Sequence, residues 1–334
     1  MYLNNTLQGK GWCIFLKIYR WPQKNITYSV PLVLLLGFLI GSYFDTSFLQ
    51  PTLLIATIIM IYATMIGFNF NELTSLKGTK VLLYSILINF LIIPLVAYLL
   101  GISLLANHPL MFAGLALSAL LPTSGMTISW TVLQRGNVGA SVKLTIFGLI
   151  IGSILTPWYL LLMVGHFVEI DIFVTMRTIL FVVFVPMLFG QITYKLILLK
   201  TTKENFKKNI KPNFGPLSIW AMLYVVFVSI STKASMITNN LSLIWTALIV
   251  LIIFYLLNFL ISTFFAIKFF NREDGIALVN GTVLRNLSIA IGIAATSFGA
   301  EAALIVTLAF VVQQQGIVNY AKIAMPRWFQ LKNN

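Results

Sequence analysis

The chain is 334 residues long, 59% hydrophobic and 9% charged, with a formal net charge of +14. Apolar runs long enough to cross about 30 Å of hydrocarbon recur along its whole length, which excludes a soluble globular protein and reads as an integral membrane protein. The single cysteine, Cys13, excludes an intramolecular disulfide.

The first apolar run begins only near Tyr28, behind a basic and aromatic stretch holding Lys17, Tyr19, Arg20 and Trp21. A cleaved signal peptide is therefore not expected, and residues 1–27 read as a cytoplasmic segment lying along the interface. Ten spans follow, at about 28–45, 51–68, 79–101, 109–134, 138–164, 172–194, 215–232, 242–269, 274–297 and 300–324. They divide into a first five-helix repeat, 28–164, a second, 172–324, and a cytoplasmic tail, 325–334. No connection is long enough for a soluble domain; the longest, about Lys195 to Pro216, is a lysine-rich tether.

An even number of spans puts both termini on one side. With the termini in the cytoplasm, 18 of the 22 basic residues fall inside, and only Arg177 and Lys233 lie near outer ends. Attraction to anionic lipid headgroups accounts for the positive charge without nucleic acid, and the plasma membrane is the expected location. Five spans per half force the second half to enter from the opposite side, so the repeat is expected to be inverted. The order of features agrees, with Asn89-Phe90 and Asn258-Phe259 in the two third spans.

Two spans at matching places, the fourth and ninth, are interrupted. Leu121-Pro122-Thr123-Ser124-Gly125-Met126-Thr127 breaks one, and Asn280-Gly281-Thr282-Val283-Leu284-Arg285-Asn286-Leu287-Ser288 the other. Non-helical backbone at membrane depth survives only where it is buried in protein or lines a cavity. A pair of breaks in corresponding halves points to a secondary transporter with its site where they meet. The candidate substrate-binding residues are Arg285, Asn286, Ser288, Thr123, Ser124 and Thr127; the polar ones have the alternative duty of satisfying backbone groups freed at the breaks.

A guanidinium in a broken membrane helix costs at least a few kcal/mol unless it meets water, a counter-ion or carbonyls. All eight acidic residues lie at or near predicted span ends, so Arg285 has no evident partner. Two compatible readings stay open: it receives the negative group of a substrate, or it caps freed carbonyls and stands as a fixed charge. Ser141 and Thr145 are four residues apart and share a helix face. Lys143 points away from that face and is expected to snorkel to the interface. Trp130 is expected to pack, and some of Gln313, Gln314 and Gln315 to face a cavity. His108 and His166 sit near span ends, and no nucleophile and base pair, metal-ligand cluster or phosphate-cradling loop stands out. Enzyme activity, a metal site and a cofactor are not expected.

The run from Leu121 to Asn137, followed by Val138 to Thr145, resembles the fourth and fifth helices of the bile acid:sodium symporter and arsenite-efflux permease superfamily, and Arg285 to Gly292 is similar to its ninth helix. The resemblance implies two broken helices that cross near the membrane centre, between a panel and a core domain that move against each other. The fold expected is thus an all-α integral membrane protein, ten transmembrane helices in two inverted five-helix repeats with broken, crossing helices 4 and 9. Bile acid symporters hold sodium partly with a glutamate and a glutamine on the ninth helix; those places fall near Gly281 and Arg285. Thr127, Ser141 and Thr145 fall at hydroxyl positions that resemble the first sodium site, so the resemblance implies them as a candidate ion-binding group, although hydroxyls alone make a poor cation cage. Arsenite permeases carry a cysteine after the proline of the fourth helix and a glutamate in the ninth, where this chain has Thr123 and Ser288. Soft arsenic favours thiolate over a hydroxyl.

The expected function is transport of a small organic anion by alternating access, with the coupling ion left open. The expected partners are that anion and membrane lipid, with no nucleic acid and no obligate protein partner. Arsenite or antimonite efflux is the alternative within the class; a membrane-embedded solute sensor or a channel is the alternative from another.

Overall fold

The computed structural model describes residues 16–67, 78–167, 172–232, 234, 238 and 241–325. Cys13, Glu72, Lys77, Glu169, Asp171, Lys233, Arg327 and Lys332 lie outside them, as do residues 1–15 and most of the tail expected at 325–334.

The described chain is helical, apart from short turns and the two breaks described below. A short helix α1 (Leu16–Lys24) turns through 97° into α2 (Ile26–Tyr43). There follow α3 (Thr52–Met65), α4 (Thr79–Leu104), α5 (Pro109–Leu120), α6 (Gly125–Leu133), α7 (Val138–Val164) and α8 (Ile172–Leu198). After a basic connector come α9 (Phe214–Ser231), α10 (Leu241–Phe269), α11 (Arg272–Val283), α12 (Leu287–Phe298) and α13 (Ala300–Asn319). Among the described residues six helices are long and apolar enough to cross a membrane, or seven if α1 and α2 count as one bent span.

Large apolar side chains face outward in stripes. Leu83, Leu87, Leu91, Leu95 and Leu99 run along α4, and Trp245, Ile249, Ile252, Leu256, Leu260 and Phe264 along α10, all exposed. A water-soluble protein does not present such continuous apolar faces; hydrocarbon is their natural solvent, and the protein is a multi-pass membrane protein.

The helices pack in two groups. In one, α9 lies between α2 and α3, and α8 packs on α3. Small residues allow the close approach: a Cβ on Gly41 of α2 would lie 2.0 Å from the Ser231 carbonyl oxygen. The second group holds α4 to α7 and α10 to α13, with α13 against α5 and α11 against α10, α4, α6 and α7. Between the groups, α12 meets α3, α8 and α9, while α13 meets α2 and α9.

Two local features depart from a plain reading of the sequence. The helix α4 passes through a π turn at Ile88–Ile92, centred near Asn89, in a stretch where nothing but a lone amide interrupts the apolar run. Lys143 does not reach the interface: it is 3% exposed, on a helix that packs against α4, α6 and α11.

Candidate functional site

The interruptions read from the sequence fall at 121–124 and 284–286, between α5 and α6 and between α11 and α12. Pro122 cannot donate to the helix and disfavours helical backbone at Leu121, whose ψ is 78°. Thr123 then takes φ 61°, a left-handed conformation that is a genuine outlier for a β-branched residue. Its hydroxyl donates to the Pro122 carbonyl at 2.7 Å. Ser124 turns extended and caps α6, its Oγ accepting from Met126 N at 3.3 Å while Thr127 Oγ1 accepts from Ser124 N at 3.3 Å. At the second break Leu284 has ψ 93°, and Asn286 Oδ1 caps α12 by accepting from Ile289 N at 3.4 Å.

The breaks pair with each other. Asn286 N donates to the Leu121 carbonyl at 2.8 Å, and Pro122 and Arg285 form an isolated antiparallel bridge. Each break thus supplies partners for backbone that its own helix has released, which is how non-helical chain is tolerated away from water. The carbonyls at the end of α11 are met by side chains: Gly281 by Asn89 Nδ2 at 3.0 Å, Thr282 by Asn258 Nδ2 at 3.3 Å and Asn280 by Thr127 Oγ1 at 3.4 Å.

Arg285 is 1% exposed. Its NH1 donates to Asn89 Oδ1 at 2.7 Å, and its backbone N to Gln313 Oε1 at 2.8 Å. Gln313 Oε1 also accepts from Tyr255 at 3.1 Å. The Nε and NH2 of Arg285 are buried with no acceptor. The described acidic residues, Asp45, Glu204, Glu273, Asp274 and Glu301, are exposed or partly exposed and lie at helix ends or in connections. The cation therefore has no counter-charge in the described protein.

A cavity of about 450 Å³ opens beside the paired breaks. Ser124, Asn286, Ser288, Thr145 and Arg285 are among its lining residues, facing Met60 and Ile61 of α3 and Ser218 and Ile219 of α9; Gln23 and Lys211 also line it. The N-termini of α6 and α12 both border it, so N–H groups with no intrahelical partner and the positive ends of two helix dipoles are directed there. Ser288 Oγ lies 3.6 Å from the Met222 sulfur.

Thr123 and Thr127 are fully buried behind the cavity wall. Of the candidate ion-binding hydroxyls, Thr145 lines the cavity and donates to the Ser141 carbonyl at 2.9 Å, whereas Ser141 pairs with Thr131 at 3.1 Å. Thr127 Oγ1 donates to the Asn280 carbonyl at 3.4 Å. No group of three or more His, Cys, Asp or Glu side chains that could hold a metal occurs among the described residues.

A second cavity, about 550 Å³, lies elsewhere along the contact between the two helix groups, among Gln50, Pro51, Ser229, Thr232, Thr296 and Gly299. Along the contact, Gly292 of α12 sits against Thr57 of α3 so closely that an added Cβ would lie 2.2 Å from the threonine methyl. Gln313, one of the three glutamines of which some were expected to face a cavity, is held by Arg285 N and Tyr255; Asn89 and Tyr255 around Arg285, and Gln23 and Lys211 beside the cavity, are not among the site residues expected from sequence. Their only advance signal is polarity within or beside apolar runs.

A model of the sodium bile acid symporter family matches residues 54–240. The chain is 22% identical to the uncharacterised protein YbaS of Bacillus subtilis over 256 residues, 76% of this chain and 82% of that protein. It is 26% identical to sodium/bile acid cotransporter 7-B of Xenopus laevis over 180 residues, 52% of this chain and 50% of the cotransporter. With sodium/bile acid cotransporter 7 of Xenopus tropicalis the match is 26% over 148 residues, 44% of this chain and 41% of the relative. The chain thus spans half or less of the amphibian cotransporters it matches.

Proposed function

From the premise that the chain belongs to the sodium bile acid symporter family, we propose that it is a secondary transporter that carries a small organic anion across the plasma membrane by alternating access. In this reading both termini are cytoplasmic, and ten spans form two inverted five-helix repeats, with α5–α6 and α11–α12 as the broken fourth and ninth. The observation that carries the proposal is the meeting of two capped helix N-termini at a cavity, with an uncompensated guanidinium at the paired breaks. Helix N-termini favour anions, and a buried cation without a carboxylate leaves the region positive. The wall contributed by Met60, Ile61, Leu149 and Ile219 suits an apolar body attached to the charge.

Ser124, Asn286 and Ser288 supply polar contacts in this scheme, Thr123 and Thr127 hold the broken backbone behind them, and Arg285 supplies the charge. A permanent cation at the paired breaks removes the need for a sodium ion. No carboxylate accompanies the hydroxyls of Thr127, Ser141 and Thr145, and hydroxyls alone make a poor cation cage, so the proposed cycle is sodium-independent.

The test is thermal unfolding of purified wild type and Arg285→Gln against small carboxylates, sulfonated amphiphiles and arsenite, with sodium or potassium as the only cation. Ligand bound to the folded state raises the unfolding midpoint by mass action. An organic anion is expected to stabilise wild type equally in either cation and to have little effect on the variant. Stabilisation only in sodium refutes the sodium-independent cycle. An equal response from the variant removes Arg285 from the site, and stabilisation by arsenite alone reassigns the substrate.

A further inference from the structure

We propose that α1 and the basic connector between α8 and α9 form a binding site for the headgroup of an anionic phospholipid at the rim of the candidate cavity. The site does not depend on what the cavity carries. The 97° turn between α1 and α2 lays α1 along the membrane surface when α2 crosses it. Ile18 and Trp21, one turn apart on α1, are 59% and 47% exposed, and exposed Lys17 and Lys24 flank them. Apolar and aromatic residues beside lysines are the pattern of a helix seated at the headgroup level.

The inner side of α1 is tied to the connector. Tyr19 donates to the Asn213 carbonyl at 2.7 Å, Arg20 NH2 to Asn213 Oδ1 at 2.7 Å, and Trp220 Nε1 to the Tyr19 carbonyl at 3.0 Å. These bonds hold the Arg20 guanidinium by one nitrogen and leave its Nε buried without an acceptor. The connector adds exposed Lys203, Lys207, Lys208 and Lys211 against a lone acidic residue, Glu204. Lys211 donates to the Gly67 carbonyl at 3.2 Å and, with Gln23, lines the cavity. The result is a collar of exposed lysines around the partly buried Arg20, next to apolar side chains exposed on α1. A phosphodiester carrying acyl chains satisfies both requirements, since its oxygens accept from Arg20 and its chains lie alongside Ile18 and Trp21. Free phosphate satisfies only the first.

The experiment is thermal unfolding of the purified full-length protein in neutral detergent, with added phosphatidylglycerol, phosphatidylcholine or glycerol 3-phosphate. Phosphatidylglycerol is expected to raise the midpoint of wild type, and the other two to leave it unchanged. Arg20→Gln and Lys211→Gln are each expected to lose most of that rise, while Lys268→Gln, far along the chain on α10, keeps it. An equal rise with phosphatidylcholine, or a full response in both collar variants, overturns the site; an equal rise with glycerol 3-phosphate overturns the lipid assignment. Should Arg20→Gln fail to fold, Lys211→Gln carries the test on the same terms, because its ammonium holds a single carbonyl.

Discussion

The guanidinium of Arg285 brings five N–H donors into the protein interior, and the described side chains accept from NH1 alone. Replacing a buried, uncompensated charge by a neutral group is neutral or stabilising in general, whereas stranding a charge is what costs. Arg285→Gln is accordingly expected to unfold within about 1 kcal/mol of wild type, or above it, when no ligand is present. Arg285→Lys is expected to fold and to remain cationic, yet to bind an anion roughly tenfold to hundredfold more weakly, the scale of one lost charge-assisted hydrogen bond. A lysine is a point charge on a flexible stem and cannot reach Asn89 and a ligand with one planar fork. Denaturation without ligand, followed by a titration of the stabilising anion, checks both variants. A Lys variant that binds as tightly as wild type shows that charge alone matters and the fork does not.

At the scale of the helix, the two breaks are closed by side-chain caps. Ser124→Ala and Asn286→Ala are each expected to cost about 1 kcal/mol, the usual effect of losing an N-cap oxygen, measurable by thermal or chemical unfolding. Because Asn286 N is bonded to the Leu121 carbonyl, the two losses fall on one connected structure, and the double variant is expected to deviate from the sum of the singles. These breaks were legible in the sequence because Pro122, Gly125, Gly281 and the clustered hydroxyls are poor interior helix residues whatever surrounds them. The π turn around Asn89 was not, since Leu87 to Ile93 reads as ordinary apolar helix and the widening serves a contact with Gly281 nearly two hundred residues away. Lys143 was misread for a related reason: periodicity gives the face of a residue but not how many helices close around it. The far wall of the cavity, Met60 and Ser218 among it, carried no signal either, because nothing in α3 or α9 distinguishes a residue facing a cavity from one facing a neighbour.

For the whole molecule, the two cavities lie along one contact between the helix groups, and Thr57 against Gly292 belongs to that contact. The hydroxyl of Thr57 donates to the Leu53 carbonyl at 2.8 Å, which leaves its methyl against the glycine. If the groups shift to expose the cavity alternately on either side, this contact must part in every cycle. An added Cβ on Gly292 would lie 3.1 Å from Thr57 Cβ, slightly inside the roughly 3.5–4.5 Å of a disulfide, so a small separation admits the bond. Thr57→Cys with Gly292→Cys, in a Cys13→Ser background, is therefore expected to crosslink under mild oxidation. Counterflow of whichever anion stabilises wild type should then stop in proteoliposomes and return with dithiothreitol, while the single variants keep transporting under the same oxidant. Loss of flux together with retained binding is the decisive combination, because it separates a locked carrier from an unfolded one. Undiminished counterflow in fully crosslinked protein would mean that the groups do not move apart at Thr57 and Gly292, and that the solute passes without parting α3 from α12.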